Sequence, residues 1–328
     1  MLSRLVLPVA ALGTFMSSAF AGGPEQAGSL LVYPCYDNIR GMDTFITVTN
    51  TNLDVDNGTI KVEFVYIDGY NCLEFNRTRT LTPGDTLTVK TKTDNPNSTK
   101  GYVYVFAKNK TTGAATSFNH LIGTSRVTNG GSGSDLEIQP FVYTAAGAAG
   151  ANTDLDNDGI RDLNGAEYEQ SADQLFLPRF LGQGPAVSDL VMINLTGGSK
   201  FTATVDLLIW NDNEEVFSSQ YSFDCWEKKE LSEISGAFNQ DFLLSTNHTV
   251  SESFGGIETG LFWINGLIAS STATSINNPA VLAVLIETLP GDYNEQFSYS
   301  GNSTAVLPYG KGTQDNGDLV PHSVLGDV

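Results

Sequence analysis

The chain has 328 residues and a formal net charge of −20 at pH 7, because 37 acidic residues outnumber 17 basic ones. A surface this acidic repels phosphate backbones and anionic lipids, so we expect no nucleic-acid partner. The hydrophobic content of 41% is enough for ordinary buried cores. We expect no membrane insertion, since no segment after residue 21 reaches the roughly 18 apolar residues of a spanning helix.

The first 21 residues have the features of a secretory signal. Arg4 supplies a positive charge, an apolar stretch follows over residues 5–16, and Ala19 and Ala21 form an A-x-A cleavage pattern. We therefore predict a mature chain that begins at Gly22. We also expect it to be secreted or held at the cell surface, and the periplasm stays open as a third location.

The following hundred residues have the pattern of consecutive strands. Apolar or aromatic side chains alternate with polar ones, as half-buried strands require. The alternating segments are residues 44–50, 60–67, 85–93 and 101–107. Strands of this length at about ten-residue spacing predict an all-β sandwich.

The turns between these strands add a family resemblance. DNG at residues 56–58 and TPGD at residues 82–85 are turn sequences. The stretch LTPGDTLTV, residues 81–89, resembles a strand-entry segment of immunoglobulin-like and adhesin-type domains. The resemblance implies an immunoglobulin-like antiparallel sandwich.

The same order of elements occurs twice along the chain. ATSFNH at residues 115–120 is nearly repeated as ATSINN at residues 273–278. Earlier segments match in the same order: TFITVTN with DLVMIN, KVEFVYI with TVDLLIW, NCLEFNRTRTL with FDCWEKKEL, and GYVYVFAKN with GLFWINGL. We therefore predict two immunoglobulin-like β-sandwich domains in tandem, residues 28–145 and 175–310.

Three other segments complete the predicted organisation. Residues 146–174 form an acidic linker, and residues 311–328 form a polar tail that we expect to be irregular. The second domain carries one short helical insertion, predicted from apolar residues near helical spacing. These residues are Leu231, Ile234, Phe238 and Leu243.

The linker contains the sequence DLDNDGIRDLNGAEYE, residues 154–169. Its first three aspartates are Asp154, Asp156 and Asp158, and Gly159 after them permits a sharp turn. Carboxylates two residues apart converge when the backbone curls, and Ca²⁺ takes six to eight oxygen ligands. The backbone carbonyl of Ile160 and the carboxylate of Asp162 would extend the set.

This stretch resembles the calcium loops of thrombospondin type 3 repeats, dockerins and EF-hands. The resemblance implies calcium, and no nearby histidine or cysteine favours zinc. Such loops carry a bidentate acid at the twelfth place, which is Gly165 here, so Glu167 or Glu169 would have to replace it. We expect a structural calcium ion that stiffens the joint between the domains. The alternative is an acidic, solvated turn.

Three cysteines, Cys35, Cys72 and Cys225, allow one disulfide in an exported protein. Cys35–Cys72 would lie within the first domain, whereas Cys72–Cys225 would join the two domains. The shorter loop slightly favours Cys35–Cys72.

The sequence shows no convincing catalytic set. The three histidines, His120, His248 and His322, are scattered, and no hydrolase, zinc-protease or nucleotide-binding motif occurs. Among the tryptophans, strand position favours core packing for Trp210 and Trp263 and makes Trp226 the best exposed candidate.

These features favour a non-enzymatic structural or adhesive protein with an extracellular protein or glycan as ligand. Two alternatives stay open. One is a carbohydrate-binding or carbohydrate-active protein that uses a sandwich face or the interdomain cleft. The other is an assembly partner that exchanges strands.

Overall fold

The computed structural model describes residues 26–39, 41–129, 134–184, 186–246, 257–288, 293–294, 297–298 and 303–319. The predicted signal segment, residues 1–21, lies outside the described residues. The prediction of an all-β sandwich protein is confirmed, since antiparallel strands dominate and α-helices in the described part are short. No helix among the described residues is long and apolar enough to cross a membrane.

The first half of the chain forms two facing sheets. Its elements are β1 (Leu30–Asp37), β2 (Met42–Asn50), β3 (Ile60–Asp68), β4 (Glu74–Leu81), β5 (Thr86–Lys90), α1 (Thr91–Asp94), β6 (Lys100–Lys108), β7 (Leu121–Asn129), β8 (Ser134–Ile138) and β9 (Phe141–Tyr143). The five-stranded sheet has the order β4-β3-β6-β1-β9, and the four-stranded sheet has the order β5-β2-β7-β8. Strand β7 pairs with β2 in the four-stranded sheet, and β6 lies between β3 and β1 in the five-stranded sheet.

The second half repeats this arrangement. Its elements are β10 (Arg161–Leu163), β11 (Gln174–Leu181), β12 (Val187–Asn194), β13 (Thr202–Asn211), β14 (Val216–Phe223), β15 (Trp226–Glu230), α2 (Leu231–Ile234), α3 (Gln240–Thr246), β16 (Thr259–Ser270), β17 (Ser275–Asn277), β18 (Val281–Thr288), β19 (Tyr293–Asn294), β20 (Phe297–Ser298), β21 (Ser303–Val306), β22 (Tyr309–Lys311) and β23 (Gly317–Leu319). One sheet has the order β14-β13-β16-β11-β22 with β17 paired to β16, and the other has the order β15-β12-β18-β21. Strand for strand, these orders are those of the first half.

The predicted helical insertion is present as short segments. Leu231 and Ile234 lie in α2, Phe238 ends a 3₁₀ turn, and Leu243 lies in α3. All four side chains are buried in the core of the second sandwich. The first sandwich has only the single turn α1 at the equivalent place, after β5.

The two sandwiches stack on each other, an arrangement that strand alternation does not predict. The five-stranded sheet of the first packs against the four-stranded sheet of the second through a third apolar core, separate from the core inside each sandwich. Strands β1 and β18 are therefore covered on both faces and are buried almost throughout. Their apolar runs, LLVY and VLAVLI, are uninterrupted because neither face meets water.

The linker and the tail belong to this third core. Leu163 and Tyr168 from the linker and Leu319 from the tail are all buried in it. Strand β10 pairs antiparallel with β23, with Asp162 opposite Asp318. Residues 317–319 of the tail, which we expected to be irregular, form the strand β23, and Leu319 at its end is buried.

The disulfide joins the two sandwiches. Cys72 is bonded to Cys225 with a Cα–Cα distance of 6.0 Å, and Cys35 is free and buried. The preference for Cys35–Cys72 was wrong because β1 buries Cys35 in the third core, whereas Cys72 lies on the turn after β3 and faces the second sandwich. The two bonded cysteines are also not equivalent in the repeat, since one follows β3 and the other follows β14.

Candidate functional site

The three alternating aspartates of the linker come together. Each of Asp154, Asp156 and Asp158 offers a carboxylate oxygen that lies within 4.8 Å of the other two. Two oxygens that share one Ca²⁺ at roughly 2.4 Å are at most about 4.8 Å apart, so this spacing is compatible with a shared ion. The donors are oxygen atoms only, as a hard cation requires.

The loop backbone curls in the way that the sequence predicts. Asn157 and Gly159 have positive φ angles of 62° and 85°. The amide of Ile160 donates to Asp158 at 2.8 Å, and the amide of Gly159 donates to Asp154 at 3.4 Å. These bonds keep the aspartate side chains on one side of the loop.

Glu167 lies inside this loop rather than beside the aspartate cluster. It is only 3% exposed, and its carboxylate accepts hydrogen bonds from the amide of Leu155 and, at 3.2 Å, from the amide of Asp162. Burial raises its pKa. Glu167 therefore ties the two ends of the loop together, and neither it nor Asp162 belongs to the cluster of mutually close carboxylates. Glu169, the alternative acid, accepts from the amide of Thr144 at 3.1 Å.

A buried arginine neighbours the cluster. Arg161 is 5% exposed, and its guanidinium lies 3.2 Å from the Asp154 carboxylate and 5.0 Å from the ring centre of Phe106. One aspartate therefore already balances a buried positive charge. Asp156 and Asp158 are exposed, and no ion pair to either occurs in the described part of the chain.

Two further acidic residues, Asp162 on β10 and Asp318 on β23, lie opposite each other on the strand pair next to the loop. Burial, with a contribution from Asp158 and Asp156, raises the pKa of Asp162. Its cross-strand neighbour Asp318 is more buried, and burial together with the charges of Asp162 and Asp158 raises the pKa of Asp318 to about 6. A cation in the loop would lower both pKa values by offsetting this repulsion.

A cavity between the sandwiches is lined by the free cysteine, Cys35, and by a partly buried lysine, Lys228. It has a volume of about 300 Å³. The ammonium of Lys228 lies 3.4 Å from Asp189 and 3.9 Å from Asp37, so the ammonium balances two acids. Burial raises the pKa of the Cys35 thiol to about 11, so this thiol stays protonated and is a poor nucleophile.

The burial of the three tryptophans is the reverse of what the sequence predicts. Trp226, expected to be exposed, is 3% exposed in the third core, and its indole N–H donates to the carbonyl of Pro34 at 2.8 Å. Trp210 and Trp263, expected in a core, are partly exposed on the outer face of the second sandwich. Strand alternation predicts which residues share a face, but the third core decides which faces are covered.

His248 and His322 lie outside the described residues, so only the surroundings of His120 are described. The ring of His120 packs against Phe118 with ring centres 5.1 Å apart.

The comparisons with known proteins give little. No family model matches the chain, and no curated protein matches it. Among solved structures, a chain of the naturally occurring empty top component of cowpea mosaic virus is similar at 10% identity. The match covers 97% of this chain and 99% of that chain with a TM-score of 0.18, too low to support any argument about fold or function.

Proposed function

We propose that this chain is an exported, non-enzymatic structural or adhesive protein whose aspartate loop binds calcium. The observation that carries the calcium proposal is the convergence of Asp154, Asp156 and Asp158 within 4.8 Å. The signal-like first 21 residues support export, as does the disulfide, because disulfides persist mainly in oxidising compartments.

The calcium ligands would be the three aspartates and the Ile160 carbonyl, with Asp162 as a further negative charge close to them. Glu167 would act from inside the loop by holding the amides of Leu155 and Asp162 in place. The bound ion would supply positive charge, which offsets the repulsion among the loop acids and the β10–β23 pair. Its effect is local, since the apolar third core and the disulfide already hold the two sandwiches together.

The affinity should be low, about 10⁻⁴ to 10⁻³ M as in extracellular calcium modules, because one aspartate is shared with Arg161. At a hundredfold excess over Kd, a ligand stabilises the folded state by about 2.7 kcal/mol. At about 2 °C per kcal/mol, the melting temperature should rise by about 5 °C.

The test is a thermal melt of the mature chain in chelator and at increasing calcium, with a calcium titration by calorimetry. Asp156→Asn with Asp158→Asn should abolish both the rise and the binding heat. The matched control is Asp56→Asn with Glu214→Gln, which removes two exposed charges elsewhere. An identical melt with chelator and with calcium, or equal calcium responses in both double variants, would refute the proposal.

A further inference from the structure

The outer face of the second sandwich carries an aromatic row. Along one register of the sheet, Trp263 on β16 lies between Leu208 on β13 and Phe176 on β11, and Phe176 is followed by Tyr309 on β22. Tyr309 is 60% exposed and Leu208 is 39% exposed. Since neighbouring strands are about 4.8 Å apart, the three rings span about 10 Å, the length of roughly two sugar rings.

The rings present a broad surface. The ring centres of Phe176 and Trp263 are 4.9 Å apart and those of Phe176 and Tyr309 are 6.4 Å apart. The interplanar angles are 39° and 37°, so none of the three packs edge-on against its neighbour.

A polar row runs beside the aromatic one on the same face, two residues further along each strand. Its members share the next outward register and are Gln220, Asp206, Asn265, Gln174 and Lys311. Three of the five are amides. The side-chain amide oxygen of Asn265, Oδ1, is buried and accepts no hydrogen bond within the described part of the chain. We call the two rows together the aromatic face.

The first sandwich provides an internal comparison, because its equivalent face is covered. There the register of Val65, Tyr104, Val32 and Phe141 lies in the third core, packed against the second sandwich. Its next register has Phe106, Leu30 and Tyr143 where the aromatic face has Asn265, Gln174 and Lys311. In the first sandwich this register also contains Glu63 and Thr78, where the second has Asp206 and Gln220. The difference between the two faces is therefore confined to the three positions at which the aromatic face has Asn265, Gln174 and Lys311 in place of apolar or aromatic residues.

The first sandwich does not offer a second copy the same contact surface for stacking. Continuation would place the four-stranded sheet of another molecule's first sandwich on the aromatic face. That sheet's outer surface carries hydrogen-bonded threonine pairs, Thr47 with Thr88 and Thr49 with Thr86, each at 2.9 Å. It lacks the apolar side chains that Val191 and Val284 provide at the equivalent surface of the second sandwich. The two rows of the aromatic face instead fit a partner that offers a flat apolar surface to the rings and hydrogen-bonding groups to the polar row.

We propose that the aromatic face binds a neutral polysaccharide of β-linked pyranoses, which would be the adhesive ligand of the exported protein proposed above. Such sugars present axial C–H bonds that stack on aromatic rings, and their equatorial hydroxyls reach sideways to amide and carboxylate groups. The polar row has one acid and one base, Asp206 and Lys311, so it has no net charge for an ionic ligand. The chain's net charge of −20 also disfavours polyanions.

The test is native affinity electrophoresis of the mature chain in gels that contain hydroxyethylcellulose, mixed-linkage β-glucan, galactomannan or starch, against a gel without polymer. We expect retardation in at least one gel of the β-linked polymers and none in starch. Tyr309→Ala and Gln174→Ala should each weaken binding about threefold to tenfold. Tyr70→Ala, at a tyrosine of the first sandwich that is 66% exposed, is the matched control and should leave binding unchanged. Melting temperatures of all variants report whether they remain folded.

Three results would overturn this inference. They are no retardation in any β-linked polymer, equal retardation of the Tyr309 variant and the control, or concentration-dependent self-association that Tyr309→Ala abolishes. The last would show that the face binds a second copy. Calcium binding is measured on the same preparation, so a negative gel with an intact calcium response refutes only the glycan site. If the chain shows neither retardation in a β-linked polymer nor a calcium response, the proposed function is refuted as well.

Discussion

Removing the disulfide between Cys72 and Cys225 should lower the free energy of unfolding substantially. The bond joins residues 153 positions apart. The loss of loop-closure entropy for a loop of that length corresponds to about 5 kcal/mol at 25 °C, an upper value for this bond. Both cysteines are buried, so serine at these positions would leave a hydroxyl group without a hydrogen-bond partner. Alanine at both positions is therefore the suitable substitution.

The assay is urea unfolding followed by tryptophan fluorescence, under non-reducing conditions. Since the third core unites the two sandwiches, we expect the wild-type chain to unfold in one transition. The Cys72→Ala/Cys225→Ala variant should unfold at lower urea, whereas Cys35→Ala should cost about 1 kcal/mol, as small deletions in a core do. The reasoning fails if the double variant is no less stable than Cys35→Ala. It also fails if non-reducing peptide mapping finds Cys35 in the bond.

Three further changes test other parts of the account. Burial and neighbouring acids raise the pKa of Asp318 from 3.8 to about 6, so the folded state holds a proton that the unfolded state releases, and the free energy of unfolding should fall by about 3 kcal/mol as the pH rises from 4 to above 6. Asp318→Asn should remove this fall without changing stability near pH 4, which urea unfolding across that pH range would measure. Trp226→Ala should cost about 3–5 kcal/mol and split the calorimetric melt into two transitions, because it opens the third core, whereas Trp210→Ala on the outer face should cost much less. Glu167→Gln should cost about 1–3 kcal/mol by urea unfolding, because an amide can accept only one of the two backbone hydrogen bonds at Leu155 and Asp162; an unchanged midpoint would count against its role inside the loop.

The sandwich class was predictable because period-two alternation reports a half-buried strand directly. The repeat was visible too, since the matched segments fall on β2 and β12, β3 and β13, and β6 and β16. The match around the cysteines was misleading, because loops between strands differ in length and Cys72 and Cys225 follow different strands.

The third core has a signal in the sequence that is distinct from strand alternation. The uninterrupted apolar runs of β1 and β18 indicate strands covered on both faces, which a pair of separate sandwiches does not provide. The expectations for the exposure of Trp226, Trp210 and Trp263 were wrong because they did not take this third core into account. Alternation assigns side chains to one face or the other, and only the packing of whole sheets determines which face meets water.

The candidate site was also predictable from the sequence only in part. Convergence of the three aspartates depends on local spacing and a glycine, so the sequence predicted it. The place of Glu167 depends on the path of the chain over residues 159–167 and on the pairing of β10 with β23, a contact between distant segments. Spacing alone could not show that this acid would bind backbone amides.

The most direct test of the account is a crystal structure of residues 22–328 grown with about 10 mM calcium. We predict one ion bound by Asp154, Asp156 and Asp158, with oxygen distances of about 2.3–2.6 Å. Three carboxylates turned separately toward solvent, with Arg161 holding Asp154 and no ion density between them, would contradict it.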